Sequence, residues 1–158
     1  MTNREPRLLS LILLPAIISN LMTLFRLALE LSGYPSSGIN PREITWWTSL
    51  WLLIPLAGIY FAFLLRDTPR PYGRLLLTLY VYALSVRVLT AIIYGLSGAL
   101  GWHTHYSSYG PGVRGYLLGG LFPQLVLWPI ITVIVGSLVG VPLLLLLRSG
   151  RSARPASI

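Results

Sequence analysis

The fold is decided by residues 75–96, LLLTLYVYALSVRVLTAIIYGL, an apolar run in which Arg87 is the single charge. About 20 residues at 1.5 Å rise per residue cover the ~30 Å hydrocarbon core of a bilayer, so this run predicts a transmembrane helix. A guanidinium at the bilayer centre costs roughly 2.5–3.5 kcal/mol and cannot be relieved by loss of its proton. We therefore expect Arg87 to face other protein groups or a water-filled cavity.

The composition of the whole chain is that of an integral membrane protein. Its mean hydropathy is +0.72, and charged residues make up 10% of its 158 residues, against about 25% in soluble domains. All twelve basic residues are arginine, and they cluster beside apolar runs, which indicates a role in membrane topology rather than nucleic-acid binding. The absence of cysteine excludes disulfides, thiol catalysis and iron–sulfur ligation.

Three further apolar runs cover residues 8–31, 45–65 and 117–147. With residues 75–96 they predict an all-α, polytopic four-helix transmembrane bundle. We assign residues 1–148 to this single domain and residues 149–158 to a short basic tail. The last run is longer than one span needs but too short for two. We expect one helix there, tilted or broken near Pro123 or Pro129.

Arginines at the helix ends predict the orientation of the bundle. One side of the predicted bundle carries eight of them, and the two loops on the other side carry Arg42 and Arg114. By the positive-inside rule, both termini are expected on the cytoplasmic side of a cell inner membrane. The eight are Arg4, Arg7, Arg66, Arg70, Arg74, Arg148, Arg151 and Arg154.

Polar side chains fall in the midplane and in the extracytoplasmic half of the predicted bundle, where they suggest a cavity. Arg26 and Glu30 lie four residues apart on one face of the first helix and can neutralise each other. Counting residues from the helix ends places Arg87 near the midplane. Two arginines in such a cavity predict a site for an anionic or amphiphilic ligand such as a lipid headgroup. The expected lining is Asn20, Arg26, Glu30, Arg87, Tyr94 and Gln124.

The same arginine has a purely structural alternative. Arg87 can bond Glu30, Asn20 and backbone carbonyls that Pro55 or Pro129 leave unpaired, and so close the bundle without a ligand. A third possibility is contact with a helix of another subunit. The sequence leaves these alternatives open.

Two histidines, His103 and His105, lie in the long connection before the last helix. Their side chains point the same way in an extended loop, so they are weak candidates for metal ligands. A structural zinc site usually needs four ligands, and the sequence supplies no cysteine or neighbouring carboxylate to complete it. The packing of an interfacial loop is the simpler explanation, and the sequence names no cofactor.

Gly136 and Gly140 form a GxxxG motif in the last helix. This spacing lets two helix backbones approach closely. We expect it to serve packing within the bundle, with homodimerisation as the alternative.

No motif for a known reaction is present, so the sequence leaves the question of catalysis open and supports three classes of function. We rank a non-catalytic subunit or accessory protein of a membrane complex first, and it should show a groove or a polar stripe that faces lipid. A small transporter or lipid-binding protein should show a polar pocket that reaches Arg87. An enzyme acting on a lipid substrate would use His103, His105 or Glu30 as acid and base, with a histidine bonded to Glu30 or Arg87 over a pocket.

Overall fold

The computed structural model describes residues 8–34, 50–107 and 112–152, and in these residues every regular element is helical. The prediction of an all-α bundle is confirmed. Three helices, Leu8–Leu31, Pro71–Leu100 and Gly112–Ser149, are each long and apolar enough to cross a membrane, whereas Leu53–Leu65 is shorter. In chain order the elements are α1 (Leu8–Leu31), a 3-10 turn (Leu50–Leu52), α2 (Leu53–Leu65), α3 (Pro71–Leu100), a second 3-10 turn (His105–Ser107) and the final span (Gly112–Ser149).

Helix α3 is longer at both ends than the predicted residues 75–96. Pro71 stands at its first turn, where a missing N–H costs nothing. Gly101 ends it with φ 65°, a left-handed conformation that glycine adopts without strain, and its N–H donates to the carbonyl of Ser97. The predicted second helix, residues 45–65, is helical from Leu50, and residues 45–49 lie outside the described part of the chain.

The final span is one continuous helix whose first half is widened. It begins with α4 (Gly112–Gly115), passes through π-helical segments Tyr116–Leu121 and Pro123–Leu127, and continues as α5 (Trp128–Ser152). Pro123 has no N–H to donate, so the predicted irregularity near it takes the form of π-turns rather than a break. The helix also runs into the predicted tail as far as Ser152, and residues 153–158 lie outside the described residues.

The four helices run antiparallel to their chain neighbours, with α5 packed against α2 and α3 and with α1 packed against α3. We call the end that holds the α2–α3 turn the turn end, and the end that holds residues 101–107 the loop end. The turn half has a continuous core that includes Phe61, Leu75 and Leu79, and a smaller cluster of Ile93, Tyr94 and Tyr106 lies at the loop end.

The glycines of the GxxxG motif pack inside this bundle. A β-carbon built on Gly58 of α2 would clash with the carbonyl oxygen of Gly136. One built on Gly136 would lie 2.7 Å from a methyl of Leu79, and one on Gly140 would lie 2.9 Å from a methyl of Leu75. The motif therefore brings α5 into backbone contact with α2, as the packing interpretation expects. A homodimer through the same glycines stays a prediction.

Candidate functional site

Glu30, at the loop end of α1, is the centre of a buried polar cluster. Its Oε1 accepts a hydrogen bond from Arg26 Nε at 3.0 Å, as the i,i+4 spacing predicts. His105 Nδ1 lies 2.6 Å from Oε1 and 2.7 Å from Oε2, and the backbone N–H of His105 donates to Oε2 at 3.3 Å. Glu30 is 4% exposed, so both of its oxygens are held by protein groups rather than by bulk water.

These bonds attach the loop to α1. Residues 102–106, which we call the strap, leave the end of α3 and cross towards Glu30. Thr104 donates from Oγ1 to Ser97 Oγ at 3.3 Å, so the strap is also bonded back to α3. Hydrogen bonds to a charged partner contribute roughly 1.5–3 kcal/mol each, about twice the neutral value. The carboxylate of Glu30 therefore links α1 to the strap through charge-assisted hydrogen bonds.

Arg87 lies in a separate polar cluster nearer the middle of the bundle. Its Nη1 donates to Gln124 Oε1 at 3.3 Å, and its guanidinium carbon lies 4.5 Å from the centre of the Trp128 ring. Gln124 and Trp128 are four residues apart, on one face of the final span. The guanidinium is therefore met by an amide dipole and an aromatic face, and the structure does not pair it with Glu30.

Arg87 is 7% exposed, so it faces protein rather than open lipid, which is what its position in the apolar run requires. Gln124, at 2% exposure, lies within the π-helical segment Pro123–Leu127. Segments of π-helix occur frequently at functional sites.

Asn20, on α1, is half-buried, and its Oδ1 is buried without a hydrogen-bond partner. The neighbouring Ser19 Oγ and the hydroxyl of Tyr82 share a hydrogen bond at 2.6 Å. Thr23 Oγ1 donates to the carbonyl of Ser19 at 3.0 Å. The polar stripe of α1 thus faces the inside of the bundle.

A cavity of about 850 Å³ lies at the loop end, between the last turns of α3, the strap and the start of the final span. Its surface is mainly apolar and aromatic, with a few polar groups. Of the six residues expected from the sequence to line a cavity, Tyr94 lines this one. The lining comprises Ile92, Tyr94, Gly95, Leu96, Ser97, Gly98, Ala99, Gly101, Trp102, His103, Tyr106, Gly112, Val113, Tyr116 and Gly120.

Glycines shape this cavity in two ways. A β-carbon on Gly95 or on Gly120 would come within 3.2 Å or 3.1 Å of the Tyr116 ring, so these two glycines let that ring lie flat between the helices. The Tyr116 hydroxyl donates to the carbonyl of Ala91 at 3.3 Å, which fixes the ring. A β-carbon on Gly98 would meet nothing within 4 Å, so this glycine borders open space.

Tyr106 joins the cavity to the Glu30 cluster. Its ring lies tilted by 43° against that of His105, with 3.7 Å between ring centres, and meets Tyr94 edge-on at 5.1 Å. Burial raises the pKa of the Tyr106 phenol above its usual range, so the group is neutral at physiological pH. Tyr106 thus contacts His105, which is bonded to Glu30, and also lines the cavity.

The two histidines have different environments. His103 is exposed and lines the cavity, whereas His105 is half-buried and bonded to Glu30. Within the described residues, no three histidine, cysteine or acidic side chains are placed to hold a metal ion together.

Sequence reasoning identified the buried polar residues but not the walls of the cavity. The structure divides the six expected lining residues into the Arg26–Glu30 pair, the Arg87–Gln124 pair, Tyr94 at the cavity, and Asn20, whose Oδ1 has no hydrogen-bond partner. Trp102, Tyr106 and Tyr116 were not assigned a role. The available signal was the density of aromatic and glycine residues between residues 97 and 116.

Comparison of this chain with protein-family models, with curated proteins and with solved structures finds no match.

Proposed function

We propose that this chain is a non-catalytic membrane protein that binds an amphiphilic molecule, with an apolar chain of that molecule in the loop-end cavity. The observation that carries the proposal is the cavity itself. Its volume of about 850 Å³ lies within the roughly 300–1,000 Å³ range of small-molecule sites. Its lining, largely apolar and aromatic with few polar groups, is also typical of such sites.

The position of the cavity favours a lipid-like ligand. Ile92, Leu96 and Val113 belong to its lining and are also exposed on the outside of the bundle, so the cavity borders the lipid-facing surface. Trp102 and His103 supply polar atoms at the end nearest the membrane interface, where tryptophan is enriched. A ligand with an apolar tail and a polar head matches this arrangement.

The proposed binding site does not include the two intramembrane arginines, Arg26 and Arg87. Arg26 is bonded to Glu30, and Arg87 is covered by Gln124 and the Trp128 ring. An anionic headgroup would have to replace those partners, so the geometry favours the amphiphilic part of the sequence hypothesis over an arginine-lined site. A subunit of a membrane complex is expected to show a groove or a polar stripe that faces lipid. The polar stripe of α1 does not face lipid, because its four residues are buried: Ser19, Thr23, Arg26 and Glu30.

A membrane enzyme acting on lipid is the second candidate, because His105 is bonded to Glu30. A carboxylate on Nδ1 is the arrangement that orients a histidine for acid–base work at its other nitrogen. However, the ring packs beside Tyr106 and is not part of the cavity lining. The geometry therefore supports attachment of the strap better than catalysis.

A substitution that fills the cavity with a large side chain tests the proposal. Gly98→Phe adds a ring where a β-carbon has open space, so the fold should tolerate it. The probe is phosphatidylcholine with a photoreactive diazirine in one acyl chain, crosslinked in nanodiscs and mapped by peptide mass spectrometry. We expect crosslinks at residues 92–120 in the wild type and a loss of roughly tenfold or more in the variant, equivalent to ~1.4 kcal/mol of binding.

The matched control is Gly73→Phe, at the turn end of the same helix, where a β-carbon also meets nothing within 4 Å. It should leave the loop-end crosslinks at the wild-type level. Equal yields in wild type and Gly98→Phe would overturn the proposal. Lipid recovered in a chemically altered form from the wild type, but intact from His105→Gln, would establish the second candidate instead.

A further inference from the structure

The strap, residues 102–106, forms one wall of the loop-end cavity. Three of its residues belong to the cavity lining: Trp102, His103 and Tyr106. The two between them, Thr104 and His105, are not part of that lining. Their side chains are bonded instead to Ser97 of α3 and to Glu30 of α1. Because lining residues and anchored residues alternate within one short segment, the anchors determine where this wall of the cavity lies.

The anchors on α3 are local. The N–H of Trp102 donates to the carbonyl of Ser97 at 3.0 Å, and Thr104 Oγ1 donates to the hydroxyl oxygen of the same residue. Both bonds return to the last turns of the helix from which the strap leaves. They hold the strap beside α3, whereas Glu30 bonds it to a second helix.

The Glu30–His105 link is held firmly on the α1 side. The side chain of Glu30 has no exposed surface, and its Oε1 also accepts the hydrogen bond from Arg26. The carboxylate is therefore oriented by its own helix. His105 contacts both carboxylate oxygens through Nδ1 and donates its backbone N–H to Oε2, so the link engages the strap through side chain and backbone together.

The link reaches the cavity through Tyr106. The ring centres of Tyr106 and His105 are 3.7 Å apart, and Tyr106 is packed in a small cluster with Ile93 and Tyr94. A shift of His105 would therefore displace a buried ring that lines the cavity. Neither His105 nor Glu30 is a lining residue, so their effect on a ligand must be indirect.

From this geometry we propose that Glu30 is a positioning residue for the ligand of the loop-end cavity. By holding His105 it fixes the strap wall, and a ligand that contacts this wall in turn favours the bonded strap. The two effects are reciprocal, because the factor by which the link raises the affinity equals the factor by which the ligand stabilises the link. The inference rests on the proposed function and adds that a residue outside the lining controls how tightly the ligand is held.

The turn half of the bundle should not depend on this link. Its core includes Phe61, Leu75 and Leu79, and its contact between α2 and α5 runs through Gly58 and Gly136. We therefore expect the bundle to remain folded without the link, so that binding and folding can be measured separately.

Two substitutions remove the link from opposite sides. Glu30→Gln keeps the size of the side chain but removes its charge, and His105→Leu removes both ring nitrogens while the Arg26–Glu30 pair stays in place. The probe is the diazirine phosphatidylcholine in nanodiscs, and its apparent affinity is read from crosslinks at residues 92–120 over a range of probe content. We expect a loss of roughly tenfold in each variant, the lower end of what a hydrogen bond to a charged group contributes. The double variant should lose no more than either single variant, because both changes remove one link.

Hydrogen exchange measures the strap itself. The backbone N–H groups of Trp102 and His105 are bonded, so peptides that cover the strap should exchange faster in both variants. Peptides from residues 53–65 in the turn half should exchange as in the wild type. If Glu30→Gln, which deprives Arg26 of its carboxylate, fails to fold, His105→Leu decides the matter.

The matched control is Ser19→Ala. It removes a different buried hydrogen bond between α1 and α3, the one to the Tyr82 hydroxyl at 2.6 Å, and leaves the strap bonds in place. Crosslinks and strap exchange should stay at the wild-type level. An equal loss of crosslinks in Ser19→Ala would overturn the inference, because it would show that any weakening of α1 packing empties the cavity.

A covalent replacement separates positioning from a general structural role. The chain contains no cysteine, so Glu30→Cys with His105→Cys can be joined selectively by a short thiol-reactive crosslinker. Probe binding should be weak before the two thiols are joined and should recover afterwards. Equal binding before and after joining would overturn the inference.

Failure of the inference differs from failure of the proposed function. Wild-type crosslinks that persist in a folded His105→Leu protein would overturn the inference alone. Absence of loop-end crosslinks in the wild type would overturn the proposed function, and the inference with it.

Discussion

The turn half and the loop half of this bundle are closed by different means. In the turn half, Phe61, Leu75 and Leu79 have no exposed surface, and α2 and α5 touch through glycine backbones. In the loop half, the helices are joined by side-chain hydrogen bonds centred on Glu30 and Arg87, and a cavity of about 850 Å³ remains between them.

The two means of closing the bundle follow from the lipid that surrounds it. Between helices in a bilayer there is little hydrophobic driving force, because lipid tails are as apolar as leucine. Close packing of small residues and interhelical hydrogen bonds are the two remaining sources of attraction, and each half relies mainly on one of them. Hydrogen bonds fix a few points and leave volume between them, so the half that uses them is the half that can hold a ligand.

The largest expected effect comes from disturbing the close packing. Gly58→Leu places a side chain against the backbone of Gly136, which cannot move aside as a flexible side chain would. We expect destabilisation of at least about 3 kcal/mol, at the upper end of overpacking costs. Unfolding in mixed detergent micelles, followed by circular dichroism, measures it.

Gly73→Leu is the control for that substitution, because a β-carbon there meets nothing within 4 Å. Its unfolding free energy should stay within about 0.5 kcal/mol of the wild type. Similar losses for the two variants would show that helix propensity or leucine itself, rather than the α2–α5 contact, governs the stability of the turn half.

A double-mutant cycle on the Arg87–Gln124 pair should give an intermediate effect. Gln124→Leu removes the amide that accepts a hydrogen bond from the buried guanidinium, and we expect a loss of about 2 kcal/mol, typical of a hydrogen bond to a charged group. Arg87→Leu removes a cation that is costly to insert, so its loss should be smaller. The double variant should be more stable than Gln124→Leu alone.

The same variants separate structure from binding at the midplane. If Arg87 only closes the bundle, Arg87→Leu should keep the acyl-chain crosslinks at the loop end, apart from any change that follows stability. Loss of crosslinks from a stably folded Arg87→Leu protein would restore the arginine-lined ligand site that the sequence suggested. Additive losses across the cycle would show that the two side chains do not act as a pair.

The sequence was sufficient for the fold because membrane insertion is decided by length and apolarity along the chain. Residues 75–96 predicted the α3 span, and the GxxxG spacing predicted close packing that Gly58 then supplied from α2. The same rule predicted that Arg87 would be covered by protein. It could not identify the groups that cover Arg87, because Gln124 lies in a π-helical segment whose register differs from that of an α-helix, and Trp128 follows directly after that segment.

The cavity was beyond sequence reasoning for a related reason. It is the space left between the Tyr116 ring, the strap and the glycines of α3. No local pattern of residues in the sequence corresponds to such a space. His105 illustrates the difficulty, since its spacing from His103 suggested a weak metal site, yet its partner Glu30 lies 75 residues earlier in the chain. Contacts of that range depend on how helices pack, which no local pattern encodes.

The smallest expected effect on stability concerns two threonine hydroxyl groups, one unpaired and one hydrogen-bonded. Thr78, in the turn half, is 1% exposed, and its Oγ1 is buried without a hydrogen-bond partner, whereas Thr23 donates to the carbonyl of Ser19. Thr→Val keeps the shape and the β-branch at both positions. Thr78→Val should stabilise by about 1 kcal/mol by removing an unpaired hydroxyl, and Thr23→Val should destabilise by about 0.5–1 kcal/mol. If both substitutions stabilise the protein, or both destabilise it, the contrast between the two halves is contradicted. A closely packed region should gain stability when it loses an unpaired hydroxyl, whereas a region held by hydrogen bonds should lose stability when it loses a bonded one.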